Sequence, residues 1–176
     1  HYDHHLTSCL HYDVPVQLLQ LYQQQKHPEK NSLPILDLGC GTGLSGEVFK
    51  PWANQLSGVD LSEKMLDVAT SKVRIDKRVV SDMIEFLESS VEEVGGYDLI
   101  VSGDALVYLG DLETLFAGVN TNLNPDGLFC FTIEDLPAGG SLRLLSGHNE
   151  LAVLDMARAF IPHQGRKKGA KRQLAS

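Results

Sequence analysis

Basic residues are scarce over most of this chain. Lys and Arg number 15 against 23 Asp and Glu, and five of those 15, Arg166, Lys167, Lys168, Lys171 and Arg172, fall within the last 15 residues, where no acid offsets them. The preceding 161 residues therefore carry a net −13. Such a body lacks the clustered cations that phosphate contacts require, so nucleic acid is not the expected ligand. The basic end reads as a solvated tail. Cysteine is scarce too: Cys9, Cys40 and Cys130 are odd in number and show no CxxC spacing, which excludes a disulfide framework and a zinc knuckle. A reducing, cytoplasmic setting is the expectation. No run of about 18 apolar residues is present, so no membrane span and no membrane partner are expected. No signal-peptide pattern is visible, although the chain opens at His1 rather than Met. His1, His4, His5 and His11 are dense, and His1 and His5 would be neighbours on a helix, yet no tetrahedral ligand set is completed and no metal is expected.

What is present is an alternation. Apolar strand-like runs at Ile35–Leu38, Gln55–Val59, Arg78–Val80, Asp98–Ser102 and Leu128–Ile133 are separated by amphipathic stretches at Leu44–Lys50, Glu63–Ser71, Met83–Val94 and Leu112–Asn122. Strand alternating with helix predicts βαβ units and a parallel sheet covered on both faces. Pro51 closes the first of these helices, Ser62 is placed to cap the second, and Asn124-Pro125-Asp126-Gly127 is a turn before the fifth strand. Upstream, Leu6–Gln23 reads as a helix broken at Pro15, with Val16, Leu19 and Tyr22 on one face. Downstream, one helix is expected over Glu150–Phe160 and no further strand. At 176 residues the chain is one domain by length. It divides into an N-terminal helical segment over 1–33 that covers the ligand site, a core over 34–136, and an atypical C-terminal segment over 137–176.

The densest chemical signal is Pro34-Ile35-Leu36-Asp37-Leu38-Gly39-Cys40-Gly41-Thr42-Gly43, a buried strand that ends in an acid and opens into alternating glycines. Gly39, Gly41 and Gly43 permit positive φ and close approach of a ligand. A pyrophosphate-binding turn receives negative charge on bare N–H groups, and Asp37 would repel it. A ligand carrying positive charge suits this turn better. Further polar residues follow at successive strand ends: Asp60, 17 residues past Gly43 and placed to accept from ribose hydroxyls; Ser81-Asp82-Met83, where an acid can face an exocyclic amine; and Ser102-Gly103-Asp104. Singly, each has a structural reading, since Asp and Ser after a strand commonly cap the next helix. Gly41-Thr42-Gly43-Leu44-Ser45-Gly46 also satisfies GxGxxG, so the glycines alone leave nicotinamide binding open. Cys40 is read as a packing residue in the turn, and Trp52 as a surface-to-core anchor.

With these motifs in order, the sequence resembles the class I S-adenosylmethionine-dependent methyltransferases. Ile35–Gly43 is similar to their first motif, Asp60 to the acid closing their second strand, Ser81-Asp82-Met83 to their adenine-contacting motif, Tyr97–Asp104 to the segment at the fourth strand, and Leu123–Leu128 to the turn before the fifth. The run Asp104–Asp111, with Tyr12 and Pro15, resembles a bacterial-type branch whose domains often follow tetratricopeptide repeats. The resemblance implies a Rossmann-like α/β fold, doubly wound and mainly parallel, and S-adenosylmethionine as cofactor. It places Asp37, Gly39, Cys40, Gly41 and Gly43 at the methionine end, Asp60 at the ribose with Leu61 and Met65 beside it, and Ser81, Asp82 and Met83 at the adenine. Ser102 and Gly103 complete the set. The implied activity is methyl transfer to a small-molecule or protein acceptor. Asp104, Tyr108, Glu134, Asp135 and His148 are candidate bases, none singled out. The family's sixth and seventh strands are expected to be missing or degenerate here. That motivates a second reading, a cofactor-binding but catalytically incomplete sensor or partner subunit. A nicotinamide-dependent oxidoreductase is a third, opposed by Asp37 and by the lack of a catalytic Tyr/Lys pair.

Overall fold

The computed structural model describes residues 13–90, 96–109, 112–134 and 149–155. Six strands form one sheet: β1 (Leu33–Leu38), β2 (Ala53–Asp60), β3 (Lys77–Val80), β4 (Tyr97–Ser102), β5 (Leu123–Glu134) and β6 (Asn149–Asp155). Their spatial order is β3-β2-β1-β4-β5-β6. The first five run parallel, and β6 pairs antiparallel with β5. The order reverses between β1 and β4, which opens a crevice at the carboxyl ends of those strands.

Alternation along the strands divides the core into two layers. Ile35, Leu99, Val101, Leu128 and Cys130 face α1 (Val14–Gln25) and α2 (Leu44–Phe49), together with Val73. Trp52, in the 3-10 turn Lys50–Trp52 that follows α2, packs against this layer. Leu36, Leu38, Ile100, Phe129 and Phe131 face the other way, toward α4 (Met83–Ser89) and α5 (Leu112–Asn122). There the Phe129 and Phe131 rings stack with centroids 4.7 Å apart, and Phe116 meets both. The α4–α5 contact is close because Gly118 faces Leu87. Buried Asn122 binds it polar-side, accepting from Ser90 Oγ at 2.6 Å and donating to the Leu87 carbonyl at 2.8 Å. The remaining helix, α3 (Glu63–Lys72), buries Leu66 and Ala69.

Two sequence expectations change. The helix starts at Val14 after Asp13, so Pro15 lies in its first turn, where its missing N–H costs nothing. The buried stripe is Val14, Leu18 and Tyr22 at i, i+4 spacing, and Val16 is 44% exposed. The segment expected to be helical over Glu150–Phe160 is strand over Asn149–Asp155, because the open ladder of β5 offers seven residues a partner. The β5 edge is therefore covered, and the C-terminal side of the sheet is reduced to one strand among the described residues. The Asn124–Gly127 turn persists as a bulge inside β5: Tyr97 pairs with Leu123 but Leu99 with Leu128, and Asp126 takes φ +65°. Residues 6–12 and 91–94 of the expected helices lie outside the described residues, as do the four N-terminal histidines. Among the described residues no helix is long and apolar enough to cross a membrane, and no group of three or more His, Cys, Asp or Glu could hold a metal ion.

Candidate functional site

The crevice floor is the turn between β1 and α2. Gly39, Gly41 and Gly43 take φ of +70°, +50° and +86°. A Cβ on Gly39 would lie 2.5 Å from the Ala105 Cβ, and one on Gly43 would lie 2.9 Å from the Ala69 Cβ. A Cβ on Gly41 would meet no atom of the described residues within 4 Å. The outer glycines are thus forced by packing, whereas the middle one borders open space. The Gly39 and Cys40 N–H groups donate to the Val59 carbonyl at 2.8 and 3.0 Å, which pins the turn to the end of β2.

Asp60, closing β2, holds the same turn from its side chain. One carboxylate oxygen accepts from Gly41 N–H at 2.8 Å and the other from Ser62 N–H at 2.8 Å. A carboxylate offers about four lone-pair sites, so two backbone donors leave acceptor capacity facing the crevice. Ser62 in turn caps α3, accepting from Met65 N–H at 3.3 Å. Beside this junction Leu61 and Met65 are exposed apolar side chains, Leu61 at 72%.

Asp37 is the anomaly. It is 2% exposed, and neither carboxylate oxygen has a hydrogen-bond partner among the described residues. Burial, then the nearby Asp60 charge, push its pKa up to about 7; the Gly46 backbone N–H opposes from nearby without meeting hydrogen-bond geometry at either oxygen. An orphaned buried carboxylate is costly, and a positive group brought to it would relieve that cost. Cys40 packs its Sγ under Gly58, and burial with the Asp37 and Asp60 charges holds its thiol well above the ordinary range. It is inert packing, not a nucleophile.

The other expected contacts divide. Asp82 caps α4, its carboxylate accepting from Ile84 N–H at 2.8 Å and Glu85 N–H at 3.3 Å. Ser81 turns its hydroxyl to the Asp82 carbonyl, and Met83 reaches over Gly39. Ser102 is fully buried, and its hydroxyl donates to the Leu38 carbonyl at 2.9 Å, tying β4 to β1 across the switch point. Its side chain is occupied structurally. Gly103 is half-buried next to it. Asp104 takes φ +54° and is clamped by Thr132 of β5, whose hydroxyl accepts from Asp104 N–H at 2.7 Å and donates to its carboxylate at 2.9 Å. Of the other candidate bases, Tyr108 is exposed at 85%, the Glu134 backbone ends β5, and Asp135 and His148 lie outside the described residues.

Sequence reasoning missed Ala105 and Ala69, which press on the turn glycines, and Thr132. Thr132 had a signal, being a hydroxyl within the otherwise apolar run Leu128–Ile133.

The methyltransferase domain family model matches residues 36–131, spanning the turn, both carboxylates and the sheet through β5. The chain belongs to this family. Within it, the chain is 32% identical over 105 residues to the "Probable S-adenosylmethionine-dependent methyltransferase CRG1" of Saccharomyces cerevisiae, covering 55% of this chain and 34% of that protein. It is 28% identical over 126 residues to a ubiquinone biosynthesis O-methyltransferase of Coxiella burnetii, covering 71% of this chain and 53% of that one. A crystal structure of an S-adenosylmethionine-dependent methyltransferase from Clostridium acetobutylicum superposes with a TM-score of 0.59 at 25% identity, over 76% of this chain and 56% of that one. The methyltransferase domain described here thus spans a third to about half the length of these curated relatives. Its Rossmann-like fold and its cofactor class, S-adenosylmethionine, follow from membership.

Proposed function

We propose that this methyltransferase domain binds S-adenosylmethionine across the Asp37–Gly43 turn and transfers its methyl group to a small-molecule or protein acceptor. The observation that carries this reading is Asp37: a buried carboxylate just before the glycine turn, with no partner at either oxygen among the described residues, suits a cationic ligand and opposes a pyrophosphate. Bound there, the cofactor supplies an activated methyl group on a sulfonium. Asp37 and the glycine turn would hold its methionine end, and Asp60 the ribose hydroxyls. Leu61 and Met65 would offer apolar cover, and Ser81, Asp82 and Met83 the adenine contacts. These roles run from β3 to β1, which leaves the acceptor the β4–β5 side of the crevice, where Thr132 fixes Asp104. The chain's own contribution is alignment, since holding nucleophile and methyl carbon at about 3–3.5 Å is the main lever in such a transfer.

The Asp104–Asp111 run, with Tyr12 and Pro15, supports the narrower assignment to the tetratricopeptide-associated branch. We assign residues 1–33 to covering the cofactor, 34–136 to the core and 137–176 to an atypical C-terminal segment. The acidic body disfavours a nucleic-acid acceptor. The reduced C-terminal side of the sheet favours one second reading, a domain that binds the cofactor without turnover. Calorimetry with S-adenosylmethionine, S-adenosylhomocysteine and NAD tests the first step: the two adenosyl ligands are expected to bind and NAD not. Tight NAD binding without response to the others would refute the proposal. Methyl-donor turnover over a panel of amines, phenols and peptides then separates enzyme from sensor.

A further inference from the structure

We propose that the empty site holds Asp37 as the neutral acid, and that cofactor loading is an exchange in which the incoming positive charge displaces the Asp37 proton into solvent. The inference rests on the cofactor reading above and concerns how the same site is regulated. A carboxyl group 2% exposed, with no partner at either oxygen among the described residues, is cheaper to bury neutral than charged. Its surroundings point the same way. From β2 it faces the Asp60 carboxylate, whose oxygens already accept from the Gly41 and Ser62 N–H groups. From the turn it faces the Cys40 thiol, neutral because burial holds its proton.

From α2 comes the Gly46 backbone N–H, the one group in this set that favours the charged form. From β4 come Val101, paired with Asp37 in the ladder, and Ser102, whose hydroxyl is committed to Leu38. The ammonium of Lys72, from α3, reaches the turn at the Thr42 carbonyl, 3.1 Å away. The balance lifts the Asp37 carboxyl to about 7, within reach of ordinary changes in pH. In the exchange the carboxyl O–H bond breaks, its electron pair stays on the carboxylate and the proton passes to buffer. The ligand's ammonium or sulfonium becomes the counter-charge.

The test is calorimetric titration of the full chain with S-adenosylmethionine at pH 5.5 to 7, in buffers of low and high ionisation enthalpy. In this window the ligand's own α-amino group, with a reference pKa of about 7.7–8.0, is largely protonated and contributes little. About one proton should be released per cofactor bound at pH 5.5–6, and affinity should rise roughly tenfold per pH unit before levelling near 7. S-adenosylhomocysteine keeps the ammonium and lacks the sulfonium. Equal release with both ligands assigns the exchange to the ammonium, and release with S-adenosylmethionine alone assigns it to the sulfonium; either outcome supports the exchange. Asp37→Asn, with its fold checked by circular dichroism, should bind more weakly at pH 7 and release no proton. Binding without proton release by the natural chain, or undiminished release by Asp37→Asn, overturns the exchange. Absence of binding by either ligand at every pH overturns the cofactor reading and the exchange with it.

Discussion

Two carboxylates at the same turn, Asp37 beside it in sequence and Asp60 bonded to it from β2, are put to opposite uses by their surroundings. Asp60 is satisfied by two backbone N–H groups and acts as a brace between β2 and the glycine turn, while Asp37 has burial without partners. The difference sets the sign of two mutational effects. In the unfolded chain Asp37 ionises near 3.8, and in the empty fold near 7, so between those values the folded form holds a proton that the unfolded form has lost. Its contribution to stability is therefore full below pH 4, declines as pH rises toward 7 and stays low above it. The loss is on the order of 4 kcal/mol. Asp37→Asn should flatten that decline and leave the cofactor-free protein more stable at pH 8, as read by urea unfolding at several pH values. A natural chain whose stability does not fall between pH 5 and 7 would contradict this. Asp60→Ala should do the reverse, lowering cofactor affinity by about 1–3 kcal/mol and the melting temperature with it, since two backbone donors lose their acceptor along with the ribose. Unchanged affinity in calorimetry would remove Asp60 from the ribose.

At the level of elements, the glycine turn separates folding from binding within five residues. Gly43→Ala forces a Cβ against Ala69 at positive φ, and should destabilise the α2–α3 packing by more than the roughly 1–2 kcal/mol of left-handed strain alone. Gly41→Ala pays the strain but meets no atom of the described residues, so its methyl should intrude on the ligand: a modest fall in melting temperature with a tenfold or greater loss of cofactor affinity. Equal effects of the two variants on binding would show that Gly41 does not border the cofactor. The strand-helix alternation and the acid before the glycines were legible because apolar period and turn chemistry are local properties. What escaped was settled by neighbours. The face of α1 turns on which residues meet β1 and β5, the engagement of Ser102 depends on β4 lying beside β1, and the clamp on Asp104 needs a hydroxyl 28 residues away. The Asp82 capping bond shows the same boundary from the other side: a strand-end acid reads identically from sequence whether it serves a helix or a ligand.

Across the whole molecule, strand order reverses between β1 and β4, and the function proposed above would put the cofactor over β3, β2 and β1 and the acceptor half over β4 and β5. That acceptor half is bounded by β5 and, among the described residues, by β6 beyond it. The backbone pairing of β6 runs from Leu128–Asp155 to Glu134–Asn149 and closes the ladder of β5, in which Leu128, Phe129, Cys130 and Phe131 are consecutive and buried. Without β6 that ladder would present unpaired N–H and C=O groups along an apolar edge, the arrangement that drives strand-to-strand association. A chain ended at Glu134 should therefore keep the β1–β5 core, with helical circular dichroism close to that of the full chain, but elute as higher oligomers whose share grows with concentration. Ala152→Pro in the full chain is the milder form of the same test: it puts a residue that strands tolerate poorly opposite Phe131 without deleting mass. It should raise the oligomer fraction less than the truncation does. A truncated chain that stays monomeric at high concentration would mean that β6 is not what shields β5, and the limit on the acceptor side would then have to be sought elsewhere in the fold.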